Sequence, residues 1–167
     1  MDCGACEPWV QLIEQDFAYL FAEQGFRLEH CEDARQGEHC LIVLESARAR
    51  IKFEISQGTP VIYFGTLDSP TGWEQQVDGV PVWYVDNALL NFIESKSSGA
   101  APAAVTAAPG AARSTEALLA AAAARLHPHA AELIKAFAPD RPAAWWQAFD
   151  AFQAERLKQM RQRMRAR

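Results

Sequence analysis

Four cysteines and four histidines are the residues of this chain whose chemistry could go beyond packing, and six of the eight lie within the first 40 positions. Cys3 and Cys6 form a Cys-x-x-Cys pair, and His30-Cys31 and His39-Cys40 follow as two adjacent couples. Two thiolates at that spacing can chelate one metal ion, and a histidine with a further cysteine can complete a tetrahedral zinc site. Cys3, Cys6, His39 and Cys40 are therefore the candidate metal ligands, with zinc the one cofactor they suggest. Strand geometry works against both members of a couple serving together, because neighbours on a strand point to opposite faces. The same Cys-x-x-Cys could be redox-active, but a thioredoxin-like setting needs a strand before the motif, and here only a helix follows. The plain alternative is two surface thiols at the N-terminus and two strand cysteines acting as small hydrophobes.

A second group is Arg48, Arg50 and Lys52, which alternate along one strand, with Trp73 further on. Three cations on a solvent face could hold a phosphate or a protein partner, or simply discourage edge pairing. With Tyr63 nearby they also keep a single-strand nucleic-acid reading in view. We take Arg48, Arg50, Lys52 and Trp73 as the candidate partner-binding residues. His127 and His129 flank Pro128, which splits their geometry, and the segment reads as a helix kink. The chain has no phosphate-cradling glycine loop, no Gly-x-Ser-x-Gly and no His-Glu-x-x-His, so the sequence points away from an enzyme.

The elements that would position these residues centre on 40–67. Ala49, Ile51, Phe53 and Ile55 fall on one face of a strand, and Arg48, Arg50, Lys52 and Glu54 on the other. That period of two predicts one buried and one wet face. Leu41–Leu44 and Val61–Phe64 read as its neighbours, joined to it by reversals at Ser46-Ala47 and Gln57-Gly58. Links this short force antiparallel pairing. Phe26–Glu32 is a plausible first strand. Pro8 opens a helix over about 8–24, whose stripe of Trp9, Ile13, Phe17, Leu20 and Phe21 would lie on the sheet, and Gly25 closes it. The stretch 68–81 is rich in Pro and Gly and reads as a loop, pinned to the core by Trp73. Val82–Val85 suggests an edge strand, and Asp86 caps a helix through Ile93. The expected fold is α+β: an N-terminal helix on a four-stranded antiparallel sheet over 1–95. An Ala/Pro/Ser/Gly linker at 96–113 and a C-terminal helical hairpin at 114–167 follow.

Charge is unevenly spread. Residues 1–96 carry a net −10, residues 97–154 are neutral, and residues 155–167 carry +5. An acidic body with a basic tail argues against duplex DNA as a partner, and no nucleic acid is expected. The distribution suits a basic protein partner facing the acidic body, or a tail that packs on the body of its own or another copy. Trp145, Trp146, Phe149, Leu157, Met160 and Met164 give the last helix a wide apolar stripe, read as a packing face and a possible homodimer contact rather than a membrane surface. No apolar run could cross a bilayer and the N-terminus shows no basic region followed by an apolar core, so no secretory signal is read and the cytoplasm is the expected location.

The helix end at 16–27, with Phe17, Leu20, Gly25 and Phe26, followed by Val43-Leu44-Glu45-Ser46, resembles a group of small bacterial α+β proteins of unassigned function. Some members of that group resemble immunity proteins of polymorphic toxin systems. The run from Leu118 through Leu133, Trp146 and Arg156 is similar in outline to the closing helices of the group. The resemblance implies a non-enzymatic, protein-binding role and carries over no catalytic residue.

Overall fold

The structure, a computed structural model, describes residues 3–98 and 114–165. It is α+β, with one antiparallel sheet between a layer of helices and a long loop. Strands β1 (Arg27–Ala34), β2 (His39–Glu45), β3 (Arg50–Ser56) and β4 (Thr59–Gly65) form a meander, and β7 (Trp83–Val85) adds a fifth strand beside β4. The sheet is thus five-stranded rather than four-stranded, because the edge strand at 82–85 pairs Tyr63–Gly65 directly. Within 68–81, read from sequence as loop throughout, β5 (Gln76–Val77) and β6 (Val80–Pro81) make a small hairpin.

Register follows the hydrophobic pattern. Ile42 sits opposite Phe53, and Phe53 opposite Ile62, so one face carries a continuous apolar band. A slip of one residue would turn that band to the other side of the sheet, which is what fixes the pairing. Ser46 shapes the β2–β3 reversal by accepting hydrogen bonds from the backbone N–H groups of Arg48 and Ala49, each at 3.2 Å. The β3–β4 turn uses Gln57 and Gly58 at φ 49° and 76°, the left-handed geometry of a two-residue hairpin.

The N-terminal helix is not continuous. α1 (Glu7–Asp16) and α2 (Ala18–Ala22) break at Phe17, whose φ of −103° and ψ of 28° leave the helical region. The break sets the buried Phe17 ring edge-on to Phe53, 5.0 Å between centroids. α3 (Asp86–Ser98) follows β7. The linker expected at 96–113 falls outside the described residues from residue 99 on; Lys96–Ser98 belong to α3.

α4 (Thr115–Leu126), α5 (Ala130–Phe137) and α6 (Ala143–Arg165) join the same helical layer, with a 3-10 turn over His127–His129. They share one apolar core with the sheet: Leu119, Leu126, Leu133, Phe137, Trp145 and Phe149 pack in the cluster that holds Ile42, Phe53 and Phe64. Ser114 caps α4 through Ala117 N–H, and the Thr115 hydroxyl donates to the Gly58 carbonyl at 2.6 Å. The chain therefore re-enters the fold tied to the β3–β4 turn. Among the described residues no helix is long and apolar enough to cross a membrane.

Candidate functional site

The cysteines come together, but not as the sequence pairs them. Cys6 forms a disulfide with Cys40, and both are fully buried. The bridge joins the 3-10 turn Gly4–Cys6 at the N-terminus to β2. Asp33 of β1, opposite Cys40 in the ladder, completes the joint: its carboxylate accepts from Ala5 N–H at 3.3 Å and from Gly37 N–H at 2.5 Å. Cys6, Asp33 and Cys40 place their polar atoms within 4.8 Å of one another. A disulfide has no thiolate to offer, so in this state Cys6 and Cys40 are not a zinc-binding pair. His39 is remote for the reason strand geometry gives: it points away from Cys40 and contacts the Ser56 hydroxyl through Nδ1 at 3.0 Å. The proposed set Cys3, Cys6, His39 and Cys40 is thus divided between two faces of the sheet.

Cys3 and Cys31 remain as thiols. Cys31 lies two residues from Asp33 on β1, on the same face as Cys40, and its side chain meets that of Cys3. Burial first, then the hydrogen bond with Cys3 and the carboxylates of Glu7 and Asp33, push the Cys31 thiol far up.

The basic stripe on β3 is not a solvated face. Lys52 is fully buried under the loop that connects β4 to β7. Its ammonium pairs with Glu54 at 2.9 Å, contacts the carbonyls of Gly72 and Glu74 at 3.4 and 3.3 Å, and lies over the rings of Trp83 and Tyr63 at 4.8 and 5.2 Å. Desolvation lowers the Lys52 pKa, and Glu54 opposes that shift. The same burial, with Glu54, pushes the Tyr63 phenol up to about 12. Gln75 donates to Glu54 at 2.6 Å, so the loop is stitched down at both ends of the pair. Trp73 does pin this loop: it packs beside Leu41, Val43 and Trp83, and its indole N–H donates to Glu32 at 3.0 Å. Arg50 is committed to Glu45 at 2.6 Å and to the Ser69 carbonyl. Of the four candidate partner-binding residues, only Arg48 is exposed. The sequence misled here because a charged strand face reads as wet unless a distant loop is known to cover it.

Two of the open clefts hold ionisable groups of both signs, their arginines tied by hydrogen bonds or ion pairs. One, of about 480 Å³, is lined by Gly25, Arg27, Glu45, Ser46, Ala47, Arg50 and Leu67, and both of its arginines pair with Glu45. The other, of about 340 Å³, lies between β4, α3 and α4 and includes Asp86 and Arg125. Arg125 is a hub, bonded to Asn87, Asn91 and Glu94 at 2.7–2.9 Å. Burial raises the Asp86 carboxyl to about 6, against the pull of Asn87 N–H and Arg125.

Among the described residues, the C-terminal half of α6 carries an apolar stripe that packs on no other element. Its first half is anchored: Trp145 and Phe149 are buried, Trp146 stacks edge-on to Phe137 and Tyr84, and Trp145 donates to Glu132. From about Ala154 the helix leaves the body. Leu157, Met160 and Met164 are then 51%, 51% and 64% exposed. Their spacing of three and four puts them on one face. Arg156, Lys158, Arg161, Arg163 and Arg165 surround that stripe. No family model, no curated protein and no solved structure matches the chain.

Proposed function

We propose that this protein is a non-enzymatic binding module that docks through the projecting half of α6 onto a protein partner, the partner presenting an apolar groove edged by carboxylates. The observation that carries this reading is the exposed stripe of Leu157, Met160 and Met164 on a helix that continues past its own domain. At 1.5 Å per residue, 154–165 extends about 18 Å into solvent. Helices hold most of their stability through a packed apolar face, so a stripe left open invites a partner. Helix-in-groove recognition uses anchors at this i, i+3, i+7 spacing.

Charge selects among the occupants. With Leu157 and Met164 at a-type positions and Met160 at d, Arg156, Arg161 and Arg163 take the flanking e and g positions. Two copies of this helix zipped together would set arginine against arginine, which disfavours self-pairing and favours a glutamate-rich partner. The Leu/Met stripe, in turn, favours a protein groove over nucleic acid. An immunity-type role, as the sequence resemblance implies, is one form such recognition would take.

The test is a titration of the full chain with a synthetic amphipathic helix carrying Leu at a and d and Glu at e and g, beside the same helix with Lys at e and g. Binding to the Glu form alone, weakened by salt and lost in Leu157→Asp/Met160→Asp, supports the reading. Equal binding to both forms, or none to either, removes it. A wild-type chain that sediments as a dimer through the same stripe would replace it with self-association.

A further inference from the structure

The four cysteines fall into two pairs. One pair, Cys6 and Cys40, is already bridged; the other, Cys3 and Cys31, is in side-chain contact and reduced. Neither Cys3 nor Cys31 joins the close group of Cys6, Asp33 and Cys40. The arrangement is therefore a disulfide beside a separate dithiol and not one centre of four thiolates. The placement follows from the backbone. Period-two alternation sets Cys31 on the same face of β1 as Asp33, and Asp33 stands directly opposite Cys40. Cys3 precedes the 3-10 turn that the Cys6–Cys40 bridge and Asp33 hold against β1. The first bridge thus presents the N-terminal thiol to the strand thiol.

We propose that Cys3 and Cys31 are an oxidation site that forms a second disulfide on exposure to a low-molecular-weight disulfide such as oxidised glutathione. Cys3 is only 3% exposed while Cys31 is half-buried, so Cys31 is the sulfur a small molecule reaches first. The Cys31 thiol gives its proton to solvent, and its sulfur attacks one sulfur of the small disulfide, expelling the other as a thiolate that takes up a proton. The Cys3 thiol then loses its proton and attacks the Cys31 sulfur, releasing the second small thiol. The protein loses two S–H bonds and gains one S–S bond, and the small disulfide is reduced to two thiols. Burial and the carboxylates of Glu7 and Asp33 keep Cys31 protonated, so the reaction is slow at neutral pH and accelerates as the pH rises. The product ties the N-terminus to β1 as well as to β2.

The experiment treats the folded full chain with oxidised glutathione, counts free thiols, and maps the linkages by mass spectrometry of non-reduced peptides. The expected result is a fall from two free thiols to none, with Cys3 linked to Cys31 and Cys6 linked to Cys40. Cys31→Ser should retain one free thiol, on Cys3, with Cys6–Cys40 unchanged. A stable glutathione adduct on Cys31 with Cys3 free overturns the proposal, as does a Cys3–Cys6 bridge. So does uptake of one zinc per reduced chain with all four thiols protected, which would make the cluster a metal centre. Thiols unchanged after treatment at both neutral and raised pH overturn it as well.

Discussion

The Cys6–Cys40 bridge gives the fold its clearest quantitative test. The two sulfurs are 34 residues apart in sequence. Closing a loop of about 35 residues removes denatured-state entropy of roughly 2.1 + 1.5R ln n cal/mol/K, which at room temperature is about 4 kcal/mol of stability. The native joint is satisfied apart from the bond itself, since Asp33 holds the same turn through Ala5 N–H and Gly37 N–H. Breaking the bond should therefore leave the folded shape intact and act on the unfolded chain. The assay unfolds the protein in guanidinium after refolding it with and without a phosphine reductant, which is needed because both sulfurs are buried. The reduced chain should unfold at lower denaturant, by about 4 kcal/mol, or roughly 8–16 °C in a thermal scan. Coincident midpoints would show that the turn and β2 are held together without the bridge, and the entropic argument would fail.

Two further outcomes follow from buried charge. Asp86, with its carboxyl raised to about 6 by burial, binds a proton more tightly folded than unfolded. Its contribution is full below about pH 4 and is lost as pH climbs through 6, so Asp86→Asn should gain stability over wild type at pH 7.5, by up to about 3 kcal/mol, and lose that advantage by pH 4; an advantage that does not change with pH would contradict the shift. Lys52→Ala would strand the half-buried Glu54 and two loop carbonyls, and should cost about 3–5 kcal/mol with a red shift of Trp73 and Trp83 emission as the loop lifts. An unchanged spectrum with unchanged stability would mean the loop is held by its tryptophans alone.

Much of the architecture was legible in the sequence because it rests on local patterns. The alternation of Ala49, Ile51, Phe53 and Ile55, the reversals at Ser46 and Gly58 and the capping residue Ser114 each act within a few residues, and each appears in the fold; Asp86 instead opens α3 as its first residue and accepts from the adjacent Asn87 N–H. What escaped depends on partners far along the chain. Lys52 reads as wet because nothing local says that Gly72 and Glu74 will cover it. Phe17 reads as one more residue of an apolar helical stripe, and only the position of Phe53 explains why the helix breaks there. The cysteine pairing needed the β1–β2 register: spacing alone favours Cys3 with Cys6, whereas the ladder puts Asp33 across from Cys40 and leaves Cys31 beside Cys3. Leu157, Met160 and Met164 recur at the helical spacing of Trp146 and Phe149, so the apolar pattern alone does not mark where the body ends.

The docking role of α6 is tested most directly by affinity capture from extracts of the producing cell, comparing the full chain with its Leu157→Asp/Met160→Asp variant at low and high salt. Both side chains are half-exposed, so the variant should keep wild-type stability. The account predicts an acidic protein retained by wild type at low salt, released at high salt, and absent from the variant. Retention of the same protein by the variant at equal yield would place recognition elsewhere on the molecule and contradict it.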